Sequence, residues 1–320
     1  MAMIYINNFM VYRNILVIRT DRIGDVILTL PVIDVLKRHF PESRIDFLVN
    51  KRVSELISDY PNINKVHSIE KERLKDIMRI CQEGKYDLAV VVRPLFSIAL
   101  AVYLSGIRHR LGTGYRWYSF LFNLRHYQHR KDSIKHELEY NVDLLRELGI
   151  LVNEYPAPKI WVSEDALNAV WKRVGDRRFI VVHPTTLGSA LAWRWENFQE
   201  LIRLLKADED FNYDIIVTGK EGEYSLKELA ALISLAAMFV SNSTGPIHIA
   251  AAVGTFAVGI YSPRKTESPV RWAPYTDKKK IFVPETDEKS TGTAGEHSSV
   301  MDSIKPVEVY RFIKSHLSKK

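Results

Sequence analysis

NILVIRTDRIGDVILTLPVIDVLKRHF, residues 14–40, decides the fold of this chain. Ile15, Leu16, Val17 and Ile18 form a short apolar run fit for a strand buried on both faces. The polar turn Arg19-Thr20-Asp21-Arg22 follows and closes on Gly24-Asp25. Apolar residues then recur at Val26, Ile27, Leu30, Ile33, Val35 and Leu36, which is helical spacing. Lys37 and Arg38 stand at the negative end of that helix's dipole. Strand, tight turn and helix make the opening unit of a doubly wound α/β domain, where ligands meet strand C-termini and helix N-termini. Taken alone, Asp25 is an ordinary first-turn acid.

The same alternation continues outward from this unit. Residues 44–49, 65–69 and 86–92 read as strands, 53–58 as a short helix and 71–82 as a polar-faced helix stopped by Gly84. Residues 136–148 form an amphipathic pattern that ends at Gly149, as a helix C-terminus does. Residues 149–158, with Pro156 and Pro158, read as a linker, after which Ser163 caps a helix running to Val174. Strands at 179–183, 213–218, 238–241 and 257–261 then alternate with helices at 196–206, 226–236 and 245–253. The pattern predicts two α/β halves, residues 1–155 and 156–320, each with a mostly parallel sheet and with a cleft between them.

Composition narrows the function classes. Hydrophobic content of 46% with 26% charged residues describes a soluble globular protein. The single cysteine, Cys81, rules out an internal disulfide framework, fits a reducing compartment and falls on a helix where a packing role is expected. A net charge of +7 points to an anionic partner, yet no nucleic-acid module is present. No run of about 18 apolar residues predicts a membrane span, and residues 1–14 lack the pattern of a signal peptide. Residues 108–130, RHRLGTGYRWYSFLFNLRHYQHR, mix aromatics with arginines and histidines. They read equally as a face for lipid head-groups or phosphates and as an aromatic core element with solvated arginines. Asp208-Glu209-Asp210 reads as a solvated turn, and His126, His129 and His136 lack the spacing of a structural zinc site.

SNSTGPIHIAAAVGT at residues 241–255, together with residues 19–41, resembles glycosyltransferase family 9, the ADP-heptose:lipopolysaccharide heptosyltransferases. VVHPTT at 181–186, the segment 193–201, SLKELAALI at 225–233, RWAP at 271–274 and MDSIKPVEV at 301–309 follow in the family's order. The resemblance implies the GT-B fold, with two Rossmann-like domains, acceptor on the first and nucleotide-sugar on the second. It also implies an inverting, metal-independent transfer of a heptose from ADP-heptose to the lipopolysaccharide inner core. No cofactor or metal is expected, the nucleotide-sugar being a substrate. The implied partners are a lipid-linked anionic glycan acceptor and the inner membrane surface, with no nucleic acid, and the implied location is cytoplasmic and peripheral.

Carried onto this chain, the family's base falls on Asp25. It has to reach the acceptor hydroxyl and stay ionised, while the sugar passes through a cation-like transition state. Arg22, Gly24 and Arg116 fall to the acceptor side. Ser243, Thr244, Gly245 and His248 fall to the leaving diphosphate, at a helix N-terminus where Pro246 suits the first turn. Thr185 and Thr186 match hydroxyls that hold the nucleotide phosphates, and Glu223 matches the ribose-binding acid.

Three features depart from the family pattern. Leu191 stands where the family often has a cation two residues before the tryptophan, here Trp193, with Arg194 the neighbouring cation. Ser243 replaces a common aspartate. Only residues 219–224 separate the strand at 213–218 from the helix starting near Ser225, where the family carries a further helix and strand. A related transferase with another nucleotide-sugar and a catalytically silent glycan- or lipid-binding homologue therefore stand as alternatives. Retention of Asp25 argues against the silent homologue.

Overall fold

In the computed structural model, which describes residues 11–186, 190–220, 222–285 and 299–318, the apolar run of the opening unit is β1 (Asn14–Ile18). Ile15, Leu16, Val17 and Ile18 are fully buried, as a strand flanked on both sides by parallel neighbours requires. With β2 (Arg44–Asn50), β3 (Lys65–Ile69), β4 (Leu88–Val91), β5 (His109–Thr113) and β6 (Leu124–His126) it makes a six-stranded sheet in the order β3-β2-β1-β4-β5-β6. Every adjacent pair is parallel. That order reverses between β1 and β4, the switch point of a Rossmann sheet, so the turn after β1 opens into a crevice.

The second sheet holds β7 (Phe179–His183), β8 (Asp214–Val217), β9 (Met238–Asn242), β10 (Ala257–Ile260) and β11 (Lys279–Phe282), in the order β11-β10-β9-β7-β8. It too is parallel throughout. The direction of winding reverses between β7 and β9, which opens a second crevice at their C-terminal ends. β8 is one of the two edge strands, with Asp214 and Val217 exposed, and the next element among the described residues is a helix. The polar stretch 285–299 lies outside the described residues except at its two ends, and so do residues 1–10.

The helix expected from Val26 onward is two helices, α1 (Ile23–Ile27) and α2 (Leu30–His39). Pro31 has no N–H to offer the carbonyl of Ile27, and the ladder breaks there. Thr29 N instead donates to Val26 O at 3.0 Å, and the Thr29 hydroxyl donates to Asp25 O at 2.8 Å. The first half continues with α3 (Lys51–Ser54), α4 (Leu74–Gly84), α5 (Phe96–Leu104) and α6 (Glu137–Asp143). α4 runs through Gly84 and turns at Lys85, which adopts φ 47°. After α6 the chain continues as a 3₁₀ turn to a left-handed Gly149. The second half carries α7 (Glu164–Val174), α8 (Trp195–Lys206), α9 (Leu226–Leu235), α10 (Gly245–Ala252) and α11 (Pro269–Trp272), then a C-terminal helix, Pro306–Leu317.

Residues 108–130 divide between core and surface. Tyr118, Leu121 and Phe122 are buried, whereas Tyr115, Trp117, Phe120 and Tyr127 are exposed. Asp208, in the acidic turn, is tied to the C-terminal helix by Tyr310 at 2.9 Å and Lys314 at 2.8 Å. Trp193 is the largest fully buried side chain. Its indole N–H donates to Ile304 O at 2.9 Å, and its backbone N–H donates to Asn242 Oδ1 at 2.8 Å. It thereby joins the loop after β7 to the end of β9 and to the C-terminal segment. Trp193→Ala removes that anchor from a filled core and is expected to cost roughly 3–5 kcal/mol in urea unfolding. Trp193→Phe keeps most of the volume and is expected to cost less.

Candidate active site

The crevices of the two sheets face each other. Arg22 opens α1 in extended conformation, and Gly24 is buried with no side chain on the facing side. Opposite, Thr244 opens α10, whose first residues are Gly245 and Pro246. A Cβ on Gly24 would stand 2.6 Å from His248 Cδ2, and a Cβ on Gly245 would stand 3.4 Å from Gly24 N. The two helix N-termini therefore pack closely, and a side chain at Gly24 would force the His248 ring to shift. Between them lies a cavity of about 320 Å³ lined in part by Asp21, Arg22, Asp25, Ser243, Thr244 and His248. Ala190, after β7, and Thr266, Glu267 and Trp272, after β10, close its remaining sides.

Asp25 faces this cavity from the first turn of α1 and is ion-paired with the buried Arg19. Burial raises the Asp25 carboxyl above the usual carboxylate range; Arg19 opposes this, and Asp21 and Glu137 add to it. Arg19 also donates to Asp21 Oδ1 at 2.7 Å, Glu137 Oε1 at 3.3 Å and Asn141 Oδ1 at 3.4 Å. Burial works against the Glu137 charge, but Arg130, Arg19 and Arg271 hold its carboxyl below the usual range. Asn141 Nδ2 donates to Leu28 O at 3.1 Å, so the same network fixes the C-terminal end of α1.

On the opposite wall, two of the lining residues carry a buried polar atom, His248 Nδ1 and Thr244 Oγ1, that has no hydrogen-bond partner among the described residues. Orphaned groups at a helix N-terminus are what an anionic ligand satisfies. Burial, with His136 nearby, lowers the His248 imidazole to about 3, so it is neutral at pH 7.

Of the residues singled out by sequence, Asp25, Arg22, Gly24, Ser243, Thr244, Gly245 and His248 come together around this cavity. Thr185 and Thr186 lie beyond that lining, Thr185 bonded to His183 Nε2 at 3.1 Å. Gly219, at φ 116°, packs directly on Thr185. Glu223 also lies apart, with Oε2 buried and unpartnered. Arg116 sits on the exposed aromatic loop. Arg194 does not replace a cation at Leu191: it is the extended residue that precedes α8, it pairs with Asp302, and it does not line the cavity. Leu191 packs on the core while its N–H donates to Glu267 Oε2 at 3.0 Å. Arg22 is the only cation among the described lining residues. Arg19 and Arg271 lie in stretches the sequence singled out, but their meeting with Glu137 and Asn141 had no sequence signal, since it arises only through folding. Among the described residues no group of three His, Cys, Asp or Glu is placed to hold a metal ion.

The comparisons with known proteins agree in family. The profile of glycosyltransferase family 9 (heptosyltransferase) matches residues 75–224 and 221–297. A provisional glycosyltransferase of Haemophilus influenzae is 29% identical over 86% of this chain and 90% of its own length. The glycosyl transferase family 9 structure from Veillonella parvula superposes with a TM-score of 0.83 at 17% identity, covering 98% and 99% of the two chains. The E. coli ADP-heptose LPS heptosyltransferase II structure superposes with a TM-score of 0.79 at 23% identity, covering 96% and 99%.

The buried imidazoles predict acid lability. Burial lowers His136 and His183 to about 4 and His248 to about 3. Unfolded imidazoles take up protons below about pH 6.5, which the folded ones refuse, so stability falls as pH drops from about 6.5 toward 4. Each contributes up to about 1.4 kcal/mol per pH unit. The raised Asp25 carboxyl offsets at most one of these protons. Urea midpoints at pH 7, 6 and 5 are expected to decline steadily, and a flat series would contradict the burial of neutral histidines.

Proposed function

Since the chain belongs to glycosyltransferase family 9, a family of heptosyltransferases with two α/β sheets, we propose that it moves a heptose from ADP-heptose to the lipopolysaccharide inner core with inversion. The observation that carries this reading is the juxtaposition across one cavity of the Asp25 carboxylate and the N-terminus of α10. In this reading Asp25 takes the proton of the acceptor hydroxyl, and the oxygen attacks the anomeric carbon on the face opposite the nucleotide. The C–O bond to the diphosphate breaks as the sugar becomes cation-like. The leaving charge is received by the N–H groups of the first turn of α10 and by the Ser243 and Thr244 hydroxyls, with Arg22 supplying positive charge. We assign Thr185, Thr186 and Glu223 to the nucleotide end of the donor, beyond the cavity, and no step to a metal.

On the acceptor side, Phe96 stacks on Trp117 with ring centroids 5.0 Å apart, and Leu104 and Phe120 are exposed nearby in sequence. Arg108, Arg116 and Arg125 belong to the same stretch. Aromatic and cationic groups together suit an anionic lipid surface, which supports peripheral association with the cytoplasmic face of the inner membrane. No helix among the described residues is long and apolar enough to cross a membrane. Ser243 and the apolar Leu191 favour, as second reading, a different nucleotide-sugar donor.

Asp25→Asn is expected to lower transfer from ADP-heptose to a Kdo-bearing lipid acceptor by about 10²–10⁴-fold, with ADP affinity in calorimetry nearly unchanged. Retention of most turnover would remove Asp25 from the chemistry. His248→Ala is expected to weaken ADP-heptose binding by roughly tenfold through loss of a hydrogen bond; an unchanged affinity would assign the imidazole to packing alone.

A further inference from the structure

Glu137 begins α6 in the first half of the chain, yet one of its carboxylate oxygens is held by the second half. Oε1 accepts from Arg130 at 2.6 Å and from Arg19 at 3.3 Å. Oε2 accepts from Nε and Nη2 of Arg271, on α11 across the cleft, at 3.0 and 2.9 Å. The third nitrogen of Arg271 donates to Arg130 O at 3.1 Å. Beside this pair, His136 Nε2 donates to Ala273 O at 2.7 Å while its Nδ1 accepts from Leu138 N, so one tautomer serves both bonds.

The charges around Asp25 balance only with this contact made. Arg19, Arg130 and Arg271 are set against Asp21, Asp25 and Glu137. Arg93 stands 3.8 Å from Asp21 but is taken up by Glu72. On the facing elements His248 and His136 are neutral, and Arg22 and Glu267 line the cavity with opposite signs. Take Arg271 away and Glu137 Oε2 loses two charged donors, leaving a surplus negative charge in a buried cluster. A proton relieves it, and Asp25 is the acid of the cluster already raised by burial. Once protonated, Asp25 has no lone charge with which to take the acceptor's proton.

We propose that Arg271 is a positioning residue for the transfer: seated on Glu137 from the opposite lobe, it leaves Arg19 to Asp25 and readies the base only when the two lobes are docked. This rests on the reading of Asp25 as the base, but the linkage itself is measurable without turnover. The test is the titration of Asp25 in the full-length protein carrying ¹³C-labelled aspartate carboxyls, its resonance assigned by its loss in Asp25→Asn. Arg271→Gln is expected to raise the Asp25 midpoint by about 0.5–1 pH unit, and Arg271→Lys by less. Glu137→Gln, which removes the competing negative charge, is expected to lower it by a similar amount. Lys227→Gln, which deletes the separate interlobe bridge to Asp59 at 2.6 Å, is expected to leave the midpoint in place.

A merely structural role for Arg271 would not move the midpoint in opposite directions in the two variants. A midpoint unmoved in Arg271→Gln, or displaced the same way in both, overturns the proposal. Should Glu137→Gln fail to fold, the Gln and Lys variants of Arg271 still decide it, since that guanidinium is nearer the surface. In turnover, the acid limb of kcat/KM is expected to follow the same displacements. If the midpoints move as stated but Asp25→Asn keeps its turnover, the linkage stands and the assignment of the base fails.

Discussion

A carboxylate sealed from water must be met by charge, and Glu137 is met from three directions. Arg19 reaches it from the end of β1, Arg130 from the turn before α6, and Arg271 from the other half of the chain. Each arginine has a second task. Arg19 holds the acid of α1, and Arg271 also takes the carbonyl of Arg130. The site therefore inherits its geometry from a polar core rather than from the apolar one around it. Buried ion pairs of this kind are weak sources of stability but strict about position, because a displaced partner leaves its mate unpaired.

The apolar layers explain why that polar core lies where it does. Parallel strands buried on both faces aim their C-terminal ends and the following helix N-termini at one side of each sheet. Two such sheets turned toward each other bring two positive helix ends to the same space. A sugar diphosphate and a developing sugar cation want opposite surroundings. In the proposed reaction the cavity would meet both, with a carboxylate on one wall and a helix N-terminus with unpartnered polar atoms on the other.

Much of this was legible in residues 14–40 and 241–255, because local chemistry there is strict. Buried strands need unbroken apolar runs, and helix openings need glycine or proline at set places. Hence β1, β3 and β7 lie where alternation and composition put them, and seven of the proposed residues share one cavity. α5 was not legible, since FSIALAVYL lacks a polar face and shows no helical period. The break between α1 and α2 was masked by apolar spacing that runs on across Pro31. Glu137 fell within an amphipathic helix pattern and Arg271 within the RWAP match, with nothing to pair them. Their meeting is set by how two halves dock, which no local pattern encodes.

The end of the second sheet has a consequence of its own. β8 presents one row of peptide groups with no strand beyond it among the described residues, and Gly222, at φ 75°, lies in the loop that follows. Such a rim is a hazard for chain-to-chain stacking, and here it is kept short, only four residues, with Asp214 salted by Arg177 at its entrance. The same rim is also a vacant berth. A strand grafted beyond Gly219 would find a ready template on β8 and disturb none of the existing ladder, but Gly219 itself packs on Thr185, so the scaffold can lengthen at this margin only past that contact.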